Sequence, residues 1–235
     1  NEFAWSLTLE AEGMEPQGPD QFVHVKCGHS RLLRRPISVC SCQEDVPNDL
    51  IAITFEVRGD GTRWLAQRKV GDTLDVMGLL GNGFSIKPKG RYLLVGGGIG
   101  TAPMYQVTRE LAAAGVRPDV FFGFRDAPYC MEEYRSIANL VKVSTDTGAV
   151  GFHGFVTQLY DPADYDVVLV CGPTVMMKNA ARLCAEKGTP CFVSLEKKMA
   201  CGIGACLGCT CETRGGEGKS VCKNGPVFDA TEVFF

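Results

Sequence analysis

Alternation of apolar and polar positions dominates the first part of the chain. The runs Ala4–Leu9, Phe22–Val25, Ile51–Val57 and Thr73–Met77 are alternating or β-rich, as expected of strands with one buried face. Turn-formers separate them, at Gly13, Pro16, Gly18, Pro19, Asp60-Gly61, Gly71-Asp72 and Gly81-Asn82-Gly83. Several short strands with frequent turns predict a small antiparallel β barrel over residues 1–88.

The pattern then changes. Arg91–Val95 is a continuous apolar strand that runs into Gly96-Gly97-Gly98-Ile99-Gly100. A helix is expected from about Ala102 to Ala114, with Met104, Val107 and Leu111 on one face and Gly115 as its stop. Strand Asp119–Phe122, a helix near Glu132–Asn139, and strands Val141–Ser144 and Asp166–Val170 follow. Helix Val175–Lys187, stopped by Gly188, leads to strand Cys191–Leu195. Strands apolar on both faces, alternating with helices, mean a doubly wound parallel α/β sheet over residues 89–190. After Leu195 periodicity is lost, and residues 191–235 read as a small Gly- and Cys-rich module.

Composition narrows the function classes. The 235 residues are 45% hydrophobic, enough for a full core, with a net charge of -3 that makes no case for nucleic acid. The basic cluster Arg31–Arg35 reads as a solvated face. No apolar stretch reaches the ~20 residues of a membrane helix, and no secretory leader is seen. The chain begins at Asn1 rather than Met, so N-terminal residues are expected to be missing.

Of the twelve cysteines, seven are scattered and read as small buried hydrophobes, while five crowd into Cys201–Cys222. That asymmetry points to a reducing, cytoplasmic compartment and one local metal site. Cys201, Cys206 and Cys209 have the C-x4-C-x2-C spacing, and Cys222 supplies a fourth sulfur, the plant-type 2Fe–2S arrangement. Gly202, Gly204 and Gly208 let backbone N–H groups turn toward the cluster. Structural zinc is the competing reading, but its usual pattern is two C-x2-C knuckles and only Cys206/Cys209 forms one. Cys211 is the spare, expected to point elsewhere, although a ligand swap with Cys209 stays open.

The glycine run lies between a strand and a helix, where bare amides and a helix N-terminus favour a pyrophosphate. It departs from the strict dinucleotide fingerprint, since Thr101 and Pro103 stand where a third glycine would. Cys171-Gly172-Pro173 forms a second such turn. The competing reading is a tight strand–helix turn with no ligand. In Arg35-Pro36-Ile37-Ser38 an Arg fork suits a phosphate and a Ser hydroxyl suits a flavin ring edge, with an ordinary barrel edge as the alternative. Gly61-Thr62 offers a second phosphate-type turn.

Together these motifs resemble the ferredoxin–NADP reductase superfamily and, within it, the electron-transfer subunits of class 1B dihydroorotate dehydrogenase. The resemblance is carried by Leu33–Ser38, Gly78–Phe84, Leu94–Pro103, Ser144–Asp146, Val170–Pro173, Met176-Met177, Ser194–Cys209 and Gly225–Phe228. It implies FAD contacts at Arg35, Pro36, Ile37 and Ser38, with Ser38 at flavin N5, and with Gly61 and Thr62 at the pyrophosphate. Thr54, Phe55 and Glu56 would line the flavin. Gly97, Gly98, Gly100, Thr101, Cys171, Gly172 and Pro173 would serve the nicotinamide nucleotide, and Cys201, Cys206, Cys209 and Cys222 the cluster. Ile37 departs from the superfamily, where many members place an aromatic residue against the flavin. With only Arg125, beside Asp126, after Phe121-Phe122, NAD is favoured over NADP. The implied function is electron relay between NAD(H), FAD and the cluster, with an FMN-containing dihydroorotate-oxidising subunit as partner in a heterotetramer of two plus two. A reductase serving ferredoxin or an oxygenase is the alternative, and Lys197 and Lys198 are candidates for the partner surface.

Overall fold

The computed structural model describes residues 4–14, 18–28, 32–43 and 50–235. Pro16, Arg31 and the side chain of Cys42 lie outside the described residues. The N-terminal half comprises β1 (Ala4–Glu10), β2 (Phe22–Val25), β3 (Arg35–Gln43), β4 (Leu50–Glu56), α1 (Asp60–Leu65) and β5 (Val76–Leu80). These strands form one antiparallel sheet in the order β1-β4-β3-β2-β5. Its inner face gathers Val23, Val25, Ile37, Val39, Ile53 and Leu65 into a core. Helix α1 replaces the turn expected at Asp60-Gly61, because Leu65 at its end is wholly buried in that core. β5 starts later than the pattern predicted, where Val76 and Met77 pair with Val25 and His24.

One register detail positions the site. β3 pairs with β2 through Arg35–Ser38 but with β4 only from Val39 onward, after which the register shifts between Val39 and Ser41. β4 meanwhile continues to Glu56, paired with Ala4 of β1. The two strands therefore part company, and the Arg35–Ser38 edge faces Thr54–Glu56 across a cleft.

The second half comprises β6 (Tyr92–Gly97), α2 (Met104–Ala113), β7 (Asp119–Phe124), α3 (Met131–Arg135), β8 (Leu140–Thr145), β9 (Phe152–His153), β10 (Val167–Cys171), α4 (Thr174–Lys187) and β11 (Cys191–Ser194). The tail adds the hairpin β12 (Thr210–Glu212) and β13 (Gly218–Ser220), then α5 (Val221–Asn224), β14 (Val227–Asp229) and α6 (Ala230–Val233). The large sheet runs β14-β11-β10-β6-β7-β8-β9, parallel except for β14. Neighbouring residues of one strand serve opposite faces. Leu93, Val95, Val168 and Val170 pack toward α4, while Leu94, Val120, Phe122 and Leu169 pack toward α2. α4 contributes Met177, Ala180, Ala181 and Cys184, the three-and-four spacing of a buried helix face, and Gly188 closes it at a φ of 70°.

From β6 the chain winds one way through β7, β8 and β9, then returns to place β10 on β6's other side. The switch point thus lies between β6 and β10, where such sheets bind nucleotides. There the turns after the two strands touch backbone to backbone. A Cβ built on Gly100 would stand 2.4 Å from the Cys171 carbonyl oxygen, and one on Gly172 would stand 2.9 Å from the Gly97 backbone. We expect Gly100→Ala to force the turns apart and destabilise the chain by about 1–3 kcal/mol, the usual cost of overpacking, measured as a lower urea midpoint.

Candidate functional site

A cavity of about 770 Å³ opens between the two sheets, within the size range of small-molecule sites. One wall is the cleft where β3 and β4 separate: Arg35, Pro36, Ile37 and Ser38 face Thr54, Phe55 and Glu56, with Thr62 of α1 at the side. The other wall comes from the parallel sheet, through Ile99, Gly100, Pro103 and Cys171, and from the run Ser194–Met199 that leaves β11. The stretches singled out for a flavin are thus brought together, and Ile37 lines the space despite its departure from the aromatic pattern. Gly61 is buried behind that lining, where a Cβ would stand 2.7 Å from Arg35 Nε, so its bareness lets the guanidinium lie against α1. Thr62 Oγ1 accepts the amides of Arg58 and Gly59 at 3.0 and 3.2 Å. The Glu56 carboxylate pairs with Arg58 at 2.5 Å.

Of the glycine-turn residues, Gly100 and Cys171 reach this lining. Gly97, Gly98, Thr101, Gly172 and Pro173 do not line it; they build the two touching turns of the switch point. Thr101 is wholly buried, its carbonyl accepts the Tyr134 hydroxyl, and its own hydroxyl has no partner among the described residues. Burial, followed by the charges of Asp20 and Glu196, pushes the Cys171 thiol well up, so it stays protonated. Lys197 and Lys198 line the cavity.

Two residues that sequence reasoning missed are buried polar groups. Asp20 is 1% exposed with a φ of 69°, and neither carboxylate oxygen has a hydrogen-bond partner among the described residues. Burial raises its pKa to about 7, although the Ser194 and Ser38 hydroxyls pull it back and Glu196 pushes it further. His24 is fully buried, neither ring nitrogen has a hydrogen-bond partner among the described residues, and a Cβ on Gly202 would stand 2.7 Å from its Nδ1. Desolvation, then Arg34 and Arg35, hold it below the usual histidine range and therefore neutral. No motif marks either residue. A polar side chain inside the apolar frame of Phe22-Val23 and Val25 was the available signal for His24.

The cluster candidates assemble in the loop after Met199. The amides of Cys206, Gly208, Cys222 and Gly204 donate to Sγ of Cys201, Cys206, Cys209 and Cys222, at 3.4, 3.4, 3.4 and 3.1 Å. Every one of the four sulfurs thus accepts a backbone N–H. The thiols pair two by two, Cys201 beside Cys206 and Cys209 beside Cys222. The surrounding amides, with Ile203 first, draw Cys201 down to about 6. Among the described residues no three ligating side chains converge as they would on a single metal ion. Two thiol pairs, each sulfur served by a backbone amide, suit a two-iron cluster. Cys211 turns away, with its Sγ 3.4 Å from the Lys219 carbonyl across the β12–β13 hairpin. The module is tied to both sheets: Asn82 donates to the carbonyls of Gly225 and Lys223, at 2.7 and 2.8 Å, and Leu195 N donates to Pro226 O at 2.8 Å.

Comparison with known proteins bears on the cluster region and on the fold. Residues 196–234 match the iron-sulfur cluster binding domain of dihydroorotate dehydrogenase B. The electron transfer subunit of dihydroorotate dehydrogenase B (NAD(+)) from Clostridium perfringens is 42% identical, over 98% of this chain and 92% of its own. Its counterpart from Bacillus caldolyticus is 41% identical, over 99% and 93%. The structure of an NADH-dependent reduced ferredoxin-NADP oxidoreductase superposes with a TM-score of 0.88 at 32% identity, covering 98% of this chain and 84% of that one. A ferredoxin reductase of carbazole 1,9a-dioxygenase shares the fold, with a TM-score of 0.65 and 21% identity over 80% of this chain and 62% of that one.

A buried carboxyl whose folded pKa exceeds its unfolded value makes the native state bind more protons, so its cost grows as pH rises. For Asp20 that cost is absent below about pH 4 and complete above about pH 7, given the rise from 3.8 to about 7. At ~1.4 kcal/mol for each tenfold, the flavin-free Asp20→Asn chain should be more stable than wild type by about 2–4 kcal/mol at pH 8, with little difference at pH 4. Chemical unfolding at the two pH values checks this.

Proposed function

Because the chain belongs to the family of dihydroorotate dehydrogenase B (NAD(+)) electron transfer subunits, we propose that it relays electrons between NAD(H) and a catalytic partner through bound FAD and a 2Fe–2S cluster. The observation that carries this reading is one continuous stretch of chain. Ser194–Met199 lines the cavity between the sheets, and Cys201, the first cluster cysteine, stands two residues further on. Two cofactor sites are thereby joined by a backbone too short to let them drift apart.

FAD supplies the change of currency, exchanging a hydride with nicotinamide and electrons one at a time with the cluster. The chain supplies placement. Arg35 presents a planar fork to a phosphate, Thr62 and Gly61 shape the α1 end of the cavity, and Pro36 and Ile37 flank the ring with Thr54, Phe55 and Glu56 opposite. Ser38 offers its hydroxyl to flavin N5. The nicotinamide nucleotide belongs at the switch point, on Gly97, Gly98, Gly100, Thr101 and Cys171–Pro173. Cys201, Cys206, Cys209 and Cys222 hold the cluster, whose sulfurs the loop amides stabilise. The division of labour is residues 1–88 for FAD, 89–190 for NAD and 191–235 for the cluster, the last contributing strands β11 and β14 to the large sheet.

The partner is an FMN-containing subunit that oxidises dihydroorotate, in a heterotetramer of two plus two. Ile203 and Leu207, 57% and 67% exposed on the cluster loop, provide an apolar contact close to the electron exit. The described cysteines are all free, which suits the cytoplasm, and no helix among the described residues is long and apolar enough to cross a membrane.

Anaerobic protein should show a flavin band over broad iron–sulfur absorbance, and both should bleach with NADH; absorbance from neither cofactor after reconstitution defeats the proposal. Cys209→Ser should keep NADH-to-flavin bleaching and lose NADH-to-partner electron flow. Full flow in that variant, followed by stopped-flow absorbance, would rule out the cluster as the wire.

A further inference from the structure

Asp20 is a buried acid whose surroundings the electron relay leaves unexplained. It sits in the left-handed backbone region that non-glycine residues rarely occupy, and strain of this kind concentrates at functional sites. Its carboxyl is buried without a hydrogen-bond partner among the described residues, an arrangement that costs stability. It does not line the cavity, but it senses two residues that do, Ser38 of β3 and Ser194 of β11, whose hydroxyls draw its pKa down. The other ionisable groups facing it are Glu196, just after β11, and Cys171, at the end of β10. Glu196 lines the cavity and is itself exposed, so it connects this buried corner with solvent.

We propose that Asp20 is a proton-holding positioning residue for the flavin site, receiving through the Ser38 hydroxyl the proton that leaves flavin N5 as electrons depart, and returning it when the flow reverses. The proposal rests on the reading that Ser38 faces N5. The balance requires such a group. Each NADH delivers one hydride, that is two electrons and a proton. The cluster accepts electrons singly and takes no proton, so one proton per NADH remains on N5 and must go. Ser38 Oγ accepts it as the N5–H bond breaks, and Ser38's own proton passes to Asp20 Oδ, leaving the serine neutral. Asp20 then releases the proton toward Ser194 and Glu196 at the cavity mouth.

The other buried candidates serve less well. Cys171 is held protonated by burial and by the same carboxylates, so it cannot accept a proton. His24 is turned toward Gly202 of the cluster loop, and the nearby Arg34 and Arg35 disfavour its charged form. The carboxyl of Asp20 titrates at about 7, close to neutrality, where a group exchanges protons most readily.

The test is a reduced-minus-oxidised infrared difference spectrum of the full chain loaded with FAD and cluster, reduced by NADH, in wild type, Asp20→Asn and Asp20→Gly. Both replacements tolerate the left-handed backbone and so keep the local conformation. In wild type a carboxyl C=O band should change on reduction and shift in deuterated water, and both variants should lack it while binding one flavin per chain. Electron transfer from flavin to cluster in the variants should slow by ~10²-fold, the lower end of a positioned acid–base group's contribution, and lose its inflection near pH 7, with hydride uptake from NADH unaffected. A wild type without the band, or variants that retain both band and pH profile, would overturn the assignment of Asp20 and leave the flavin site standing. Wild type that binds no flavin after reconstitution would overturn the flavin site and, with it, the proposal.

Discussion

The arrangement depends on a short piece of backbone that must satisfy two neighbours at once. Leaving β11 at Ser194, the chain can no longer pair as a strand of the parallel sheet, yet it is not released into solvent. Leu195 donates to the Pro226 carbonyl, and the side chains through Met199 form one wall of the cavity. Backbone amides that lose sheet partners must find others. Here the amide of Leu195 is held by the returning tail at Pro226, six residues ahead of Cys201, the first cysteine of the loop. Both sites therefore share one rigid reference, the large sheet.

The antiparallel half contributes by failing to be regular. A strand that stayed paired along its whole length would bury its edge against its neighbour. β3 instead trades β2 for β4 partway along, with the register shift next to Val39, and the unpaired edge at Arg35–Ser38 is left to face the cleft. Pro36 is compatible with this, since proline is tolerated where a strand has a free side. Opposite, the contact of the two glycine turns lets β6 and β10 end at nearly the same height, so their loops meet the cleft together.

Much of this was legible in the chain. Period-two runs gave the antiparallel strands, continuous apolar runs gave the parallel ones, and Gly188 marked the end of α4 where a left-handed residue was needed. The cysteine spacing named the loop whose four sulfurs each accept an amide. What stayed hidden was hidden for physical reasons. Helix α1 has too few residues for periodicity to show and forms because Leu65 is drawn into the core. The β5 boundary is set by pairing with β2, a partner about fifty residues distant that no local pattern encodes. No motif singled out Asp20, next to the turn-former Pro19, or His24, within the β-rich run Phe22–Val25. Burial of either depends on segments far away in sequence, β11 for the one and the cluster loop for the other.

The two ends of the large sheet bear on how this chain can join others. An open edge strand offers a row of unpaired amides and carbonyls to which another chain can add. Here one end is β14, a three-residue strand running against its neighbour, and the other is β9, only two residues long. Neither offers a template long enough for strand addition. Association through this half must then use loops and helix surfaces, where side chains rather than backbone decide the fit and selectivity between partners is correspondingly higher.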